Sequence, residues 1–210
     1  MKLYFVPKTR STRPRWMLEE LGLSYDLVRM DPKKGDTQHP EYLKLNPLGH
    51  VPTLVFDPGE GEPGDGPVLY ESAAICLQLA DQHPEKKLAP ALGSPERGLY
   101  YQWLFYAMTE LEPAIITVLM NTLYLPEKRR DAEEAEEAKT RLLKAAKVLD
   151  AHLFTRSFLL GEAFSAADVV MCSVLNWARW LGHFEEGFPN VEQYIDRCMA
   201  RPAAKRALGG

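Results

Sequence analysis

Every run in this chain that reads as a β-strand lies before Gln82, and everything beyond Ser94 reads as helix. That division limits the fold more than any other feature. The strands must find partners within the first half, and the helices of the second half must bury their apolar stripes on one another. Lys2 to Val6 is short, apolar and aromatic, as a buried strand is. Pro14 suits the first turn of a helix, with Thr12 or Arg13 near its cap, and that helix stops at Gly22. Tyr25 to Met30 reads as a second strand and Pro40 to Leu45 as a short helical turn. Thr53 to Phe56 and Val68 to Tyr70 read as two more strands. The polar stretch 57–66 between them is rich in glycine and proline and predicts an exposed hairpin loop. Ser72 suits the N-cap of a helix from Ala73 to about Asp81. The order is β-α-β, then β-β-α.

From His83 to Ser94 the texture is that of a linker, punctuated by proline and glycine. The expected organisation is therefore a first domain over 1–82, a linker over 83–94 and an all-helical domain over 95–210. Tyr100 to Tyr124 is apolar and aromatic, with a kink expected at Pro113. Glu127 to Phe154 predicts an alanine-rich amphipathic helix. Ala166 to Leu181 is almost wholly apolar, which places it at the centre of this half. Val191 to Met199 and Ala203 to Leu208 close the chain, and 210 residues suffice for two cores.

Composition removes several functions. With 25 basic and 29 acidic residues the net charge is −4, so no electrostatic case exists for a nucleic-acid partner. No stretch reaches the ~20 apolar residues of a membrane span, and no membrane partner is expected. A strand beginning at Lys2 argues against a secretory signal. Cys76, Cys172 and Cys198 are far apart, without metal or redox spacing. A cytoplasmic, reduced, metal-free protein is the expectation.

Four segments then carry a resemblance. "LEELGL" (Leu18–Leu23) ends the first helix. "NPLGHVPTL" (Asn46–Leu54) puts Pro52 at the mouth of a strand, where its missing N–H is otherwise unwelcome. "ESAAI" (Glu71–Ile75) opens a helix, and "FSAADVV" (Phe164–Val170) reads as a capping box with Asp168 in the place of the usual Glu or Gln. In this order, over essentially the whole chain, they resemble the cytosolic glutathione S-transferases. The resemblance implies an α/β thioredoxin-like N-terminal domain followed by an all-α C-terminal domain that forms the electrophile pocket. It also implies a homodimer, with glutathione as co-substrate and a small apolar electrophile as the second partner.

The resemblance assigns roles residue by residue. Pro52 is expected to be cis, turning the N–H and C=O of Val51 outward to the cysteinyl backbone of glutathione, a form of strand addition. The Ser72 hydroxyl and amide suit the γ-glutamyl carboxylate at a helix N-terminus, and Glu71 suits its ammonium. Gln38, His39, Lys44 or His50 is the candidate for the glycine carboxylate, and His50 is carried with the binding set. Asp168 is structural. Thiol activation falls to a hydroxyl near the end of the first strand or the start of the first helix, because a bond to the charged sulfur lowers its pKa from ~8.5. Ser11 is the first candidate, with Tyr4, Thr9 and Thr12 as alternatives; Tyr4 also reads as a core aromatic and Ser11 as a helix cap. Arg10 stands where a bacterial class of the family has a catalytic cysteine, so cysteine-based chemistry is not expected. The function implied is a detoxifying glutathione transferase. The alternatives are a glutathione-dependent isomerase, peroxidase or dehalogenase, or a non-catalytic binding module on the same scaffold.

Overall fold

The computed structural model describes residues 1–59, 66–184 and 187–209. It divides into one unit of Met1–Leu88 with Arg201–Gly210 and a second of Ala89–Ala200. Most of the expected 57–66 loop lies outside the described residues.

The first unit is built on a four-stranded sheet in the order β2-β1-β3-β4. Strands β1 (Lys2–Phe5) and β2 (Asp26–Arg29) run parallel, so the chain must cross over between them, and helix α1 (Thr12–Leu21) is that crossover. Strands β3 (Thr53–Val55) and β4 (Val68–Tyr70) are antiparallel neighbours, and β3 also pairs antiparallel with β1. Gly22 ends α1 in the left-handed conformation at φ 70°, which lets its N–H return to Leu18. Leu3 and Phe5 on the sheet, Trp16, Met17, Leu18 and Leu21 on α1, and Ile75, Cys76 and Leu79 on α3 (Ser72–Gln82) form the core. Tyr4 points the other way. It pairs in register with Thr53, and its ring lies 5.2 Å from that of Tyr42 on α2 (Pro40–Leu45). Tyr4, which also reads as a core aromatic, is half-buried, since alternation along a strand sends it to the half-covered face.

The second unit is helical. Helices α4 (Pro95–Tyr106) and α5 (Glu112–Leu119) belong to one helical stretch, Pro95–Tyr124, broken by π-turns at Ala107–Leu111 and Met120–Tyr124. The first π-turn falls just ahead of Pro113, which has no N–H to give the turn before it. Contrary to the sequence expectation, this stretch is long and apolar enough to cross a membrane, with a mean hydropathy of 1.3 in its most apolar window; half of that window is buried. Helix α6 (Ala132–Leu153) presents Ala138, Leu142, Ala145, Ala146 and Leu149 to the core, and α7 (Ala166–Trp180) is buried along most of its length. Helix α8 (Pro189–Met199) is capped by Asp150, whose carboxylate accepts the N–H groups of Asn190 and Val191 at 2.9 and 3.0 Å.

One domain boundary needs correcting. Helix α9 (Pro202–Leu208), expected within the helical half, belongs to the first unit and packs on α1. Arg201 grips Glu20 through Nε and Nη2, both at 2.7 Å, and Arg206 Nε reaches Glu19 at 2.5 Å. Ala203, Ala204 and Ala207 of α9 are buried, and the two arginines tie that packed helix to α1.

Candidate functional site

The Asn46–Leu54 stretch is shaped by polar groups closing on its backbone. The Asn46 amide donates to His50 O at 2.8 Å while its oxygen takes Leu48 N–H at 3.2 Å. Tyr42 Oη donates to the same His50 carbonyl at 2.5 Å and lies 2.9 Å from Thr53 Oγ1. Burial pushes the Tyr42 phenol upward, so it stays a donor. Gly49 takes φ 61°, and a Cβ there would meet Gln38 Nε2 at 2.3 Å and Thr37 O at 2.7 Å, so the bend accepts only glycine. The Val51–Pro52 bond is cis. Among the described residues no hydrogen bond takes the N–H or C=O of Val51. Tyr42 and Asn46 are the supports that sequence reasoning missed. Asn46 stood inside the quoted motif, but nothing local showed that its amide holds the loop.

At the start of α3 the expected cap is not formed. Glu71, not Ser72, precedes the helix, and it does so at φ 74° with no side-chain cap bond. A non-glycine residue in that region is strained, a feature that clusters at binding sites. Ser72 is buried, and its hydroxyl accepts from Arg13 Nη1 at 3.1 Å. This leaves the Ser72 proton and the first amides of α3 for an anion, beside a buried guanidinium. Arg13 is also fully buried, where the sequence alone places it only near the start of the first helix. Cys76 on the same helix is inert, because burial pushes its thiol to about 12 against the pull of Arg13.

The third part is the turn between β1 and α1. Ser11 has no exposed surface. Its Oγ accepts the Val6 N–H at 3.0 Å and donates to Val6 O at 2.7 Å. The Ser11 hydroxyl is thus engaged with the Val6 peptide, and it forms no side-chain cap on α1. Thr9 is half-buried, with Oγ1 2.7 Å from Val6 O and 2.8 Å from Ser11 Oγ. Thr12 turns its hydroxyl back to Thr9 O at 2.8 Å. The first turn of α1 holds no acidic residue to repel an anion.

Register joins these parts. Tyr4 opposes Thr53, so β1 leaves the sheet beside the point where β3 enters it, and Val6 and Val51 emerge at one end. Arg13 ties the first turn of α1 to the start of α3 at that same end. The remaining candidates are occupied locally. His39 caps α2, Lys44 pairs with Glu41 at 2.7 Å, Gln38 lies against Gly49, and the His50 side chain is exposed. Among the described residues no group of His, Cys, Asp and Glu is placed to hold a metal.

Comparison with known proteins points to one family. Residues 9–82 match the model of the glutathione S-transferase N-terminal domain, and residues 107–202 that of the C-terminal domain. The chain is 29% identical over 209 residues to glutathione S-transferase GstA of Escherichia coli O157:H7, covering 99% of this chain and 97% of that one. It is similar to the structure of BphK, a bacterial transferase of the same kind in a ternary complex, at TM-score 0.86 and 31% identity over 100% of this chain and 98% of that one. A sphingomonad glutathione S-transferase complexed with glutathione superposes at TM-score 0.84 with 30% identity, over 100% and 98% of the two chains.

Proposed function

The chain belongs to the glutathione S-transferase family and is a glutathione transferase, and from that premise we propose how its own residues bind the tripeptide and what it acts on. The Val51 backbone takes the cysteinyl residue of glutathione by strand addition. Ser72 and the α3 N-terminus take the γ-glutamyl carboxylate, with Arg13 behind them, and Glu71 takes the ammonium. The hydroxyl cluster on Val6 faces the sulfur. The observation that carries this reading is the Val51 amide and carbonyl, unused by the fold at the end of the sheet where Ser72 and Thr9 also stand. His50 is retained as the candidate for the glycine carboxylate.

The reaction is attack of the glutathione thiolate on a small apolar electrophile, in a detoxifying, cytoplasmic role. Three free, buried thiols fit a reducing compartment. A homodimer is part of the proposal, supported by Leu99, Phe105, Leu123 and Tyr124 exposed on the helical unit and Val68 and Tyr70 exposed on the edge strand β4. Calorimetric titration with glutathione, followed by a panel of electrophiles, tests the activity. Saturating glutathione that gives no heat and no melting shift refutes the binding site. Sedimentation as a 23.8 kDa species at micromolar concentration refutes the dimer.

A further inference from the structure

Where α6 ends in the helical unit, the connector that follows it and one face of α8 border a cleft of about 230 Å³. None of its residues belongs to the candidate glutathione site. Its volume is below the ~300–1,000 Å³ of pockets that take drug-sized ligands, so it suits a small molecule. The connector is held in place. Leu159 gives its N–H to the buried Asp168 at 2.9 Å, its carbonyl lies 2.8 Å from His152 Nε2, and Phe158 and Gly161 exchange backbone bonds at 2.7 and 3.1 Å. Two arginines line the cleft, Arg156 from the connector and Arg197 from α8, and each is pinned through Nη1. Arg156 donates to His152 O at 2.9 Å and Arg197 to Ser157 O at 2.6 Å. Among the described residues neither guanidinium pairs with a carboxylate, so the Nε–Nη2 edge of each is left over. By that same edge Arg201 grips the carboxylate of Glu20. One acidic residue lines the cleft. Glu162 accepts the Ser157 hydroxyl on Oε2 at 2.8 Å and has Oε1 to spare. Thr155 and Gln193 add side chains without hydrogen-bond partners among the described residues, and Gln193 stands one turn before Arg197 on α8.

We propose that this cleft binds a free acidic α-amino acid, of the glutamate or aspartate kind. Its two carboxylates go to the open edges of Arg156 and Arg197, and its ammonium goes to Glu162. Two positive charges and one negative charge on the protein then meet two negative charges and one positive charge on the ligand. Thr155 and Gln193 supply neutral hydrogen bonds. Clamping the connector accounts for one N–H of each arginine; it does not account for the open edges, nor for a carboxylate set beside them. A monocarboxylate leaves one arginine unmet. A dicarboxylate without nitrogen leaves Glu162 unmet, next to two further negative charges. The arginines and Glu162 are exposed, so the binding weakens as salt rises.

The test is calorimetric titration of the full chain with L-glutamate and with glutarate, its analogue without the ammonium, at one ionic strength. L-glutamate should saturate a single site, and glutarate should bind at least ~10-fold more weakly. Arg156→Gln and Arg197→Gln should each weaken L-glutamate at least ~10-fold. Arg156→Gln serves alone if Arg197→Gln, which also loses the tie to Ser157, does not fold. Glu162→Gln should bring the two ligands within about twofold of each other, because only L-glutamate loses a charge partner. Glu71→Gln should leave L-glutamate binding as it is, since Glu71 belongs to the glutathione site. Three results overturn the proposal: no saturable heat with L-glutamate, wild-type affinity in the arginine variants, or glutarate binding as tightly as L-glutamate to the wild-type protein. Loss of L-glutamate binding in Glu71→Gln overturns it as well, because the heat then comes from the glutathione site.

Discussion

In the helical unit the buried carboxylate of Asp168 is saturated from within. Its Oδ1 accepts Leu159 N–H at 2.9 Å and Tyr194 Oη at 3.0 Å, and its Oδ2 accepts Ser165 N–H at 2.8 Å and Ser165 Oγ at 2.7 Å. In the sheet unit the buried polar groups Ser11, Arg13, Asn46, Thr53 and Ser72 also find partners, but each of their contacts shapes a loop or a helix start. What they leave over, among the described residues, is the N–H and C=O of Val51. One arrangement spends all its polar capacity on the fold; the other leaves backbone groups that the proposed function gives to glutathione. Perturbing the first should therefore change stability alone, while perturbing the second should change binding, sometimes with stability moving the opposite way.

Removing Asp168 should have the largest effect. Asp168→Ala strands two buried N–H groups and the Tyr194 hydroxyl, at a cost of at least ~3 kcal/mol in thermal or urea unfolding. Glutathione affinity of the folded fraction should be unchanged. Weakened binding at preserved stability would break the contrast. Gly49→Ala comes next. The φ of 61° and the 2.7 Å approach to Thr37 O leave no room for a Cβ, so ~2 kcal/mol of stability should go, and glutathione affinity with it as Val51 moves. A variant that melts lower but binds normally would show that the loop is not the binding element.

Glu71 gives the sharpest form of the comparison. Glu71→Gln should weaken glutathione binding by about 1–3 kcal/mol through loss of a charge-assisted bond. Glu71→Gly should weaken it too, yet raise stability by ~1 kcal/mol, because glycine adopts φ 74° without strain. Calorimetry and melting curves on the same two proteins read both effects. Glu71→Gly binding at full strength would reduce Glu71 to a structural role.

Local sequence carried most of the elements. Pro40–Leu45, Val68–Tyr70 and the start of α7 fall where periodicity and turn residues put them. It failed where the deciding partner is remote. Ser72 looks like a cap from its neighbours, but Arg13, 59 residues away, claims its hydroxyl oxygen. Helix α9 looks like the end of a helical bundle, but Glu20, 181 residues earlier, holds Arg201. The choice among the hydroxyls Ser11, Thr9 and Thr12 is not legible in the sequence for a different reason. All three stand at or just before the start of α1, and where each hydroxyl points is a matter of side-chain rotamers that spacing does not encode.

The smallest effect is expected at the junction of α1 and α9. Burial pushes the Glu19 carboxyl upward, but hydrogen bonds from Arg206 and Tyr25 outweigh it and hold the carboxyl below its ordinary range. A group lowered on folding contributes stability above its unfolded-state pKa and loses that contribution as pH falls through the folded value. Asp168 has the opposite sign. Burial raises its pKa beyond what its hydrogen bonds recover, so its contribution declines as pH rises from the ordinary value toward the raised one. Glu19→Gln should therefore flatten the acid limb of the stability profile and leave the region governed by Asp168 untouched. Its cost at neutral pH should stay below ~1 kcal/mol, since the Arg206 side chain is 54% exposed, and should shrink further in high salt. Melting temperature against pH at two ionic strengths measures this. A loss in Glu19→Gln exceeding that of Asp168→Ala would move the main polar anchor of the protein from the helical unit to this junction.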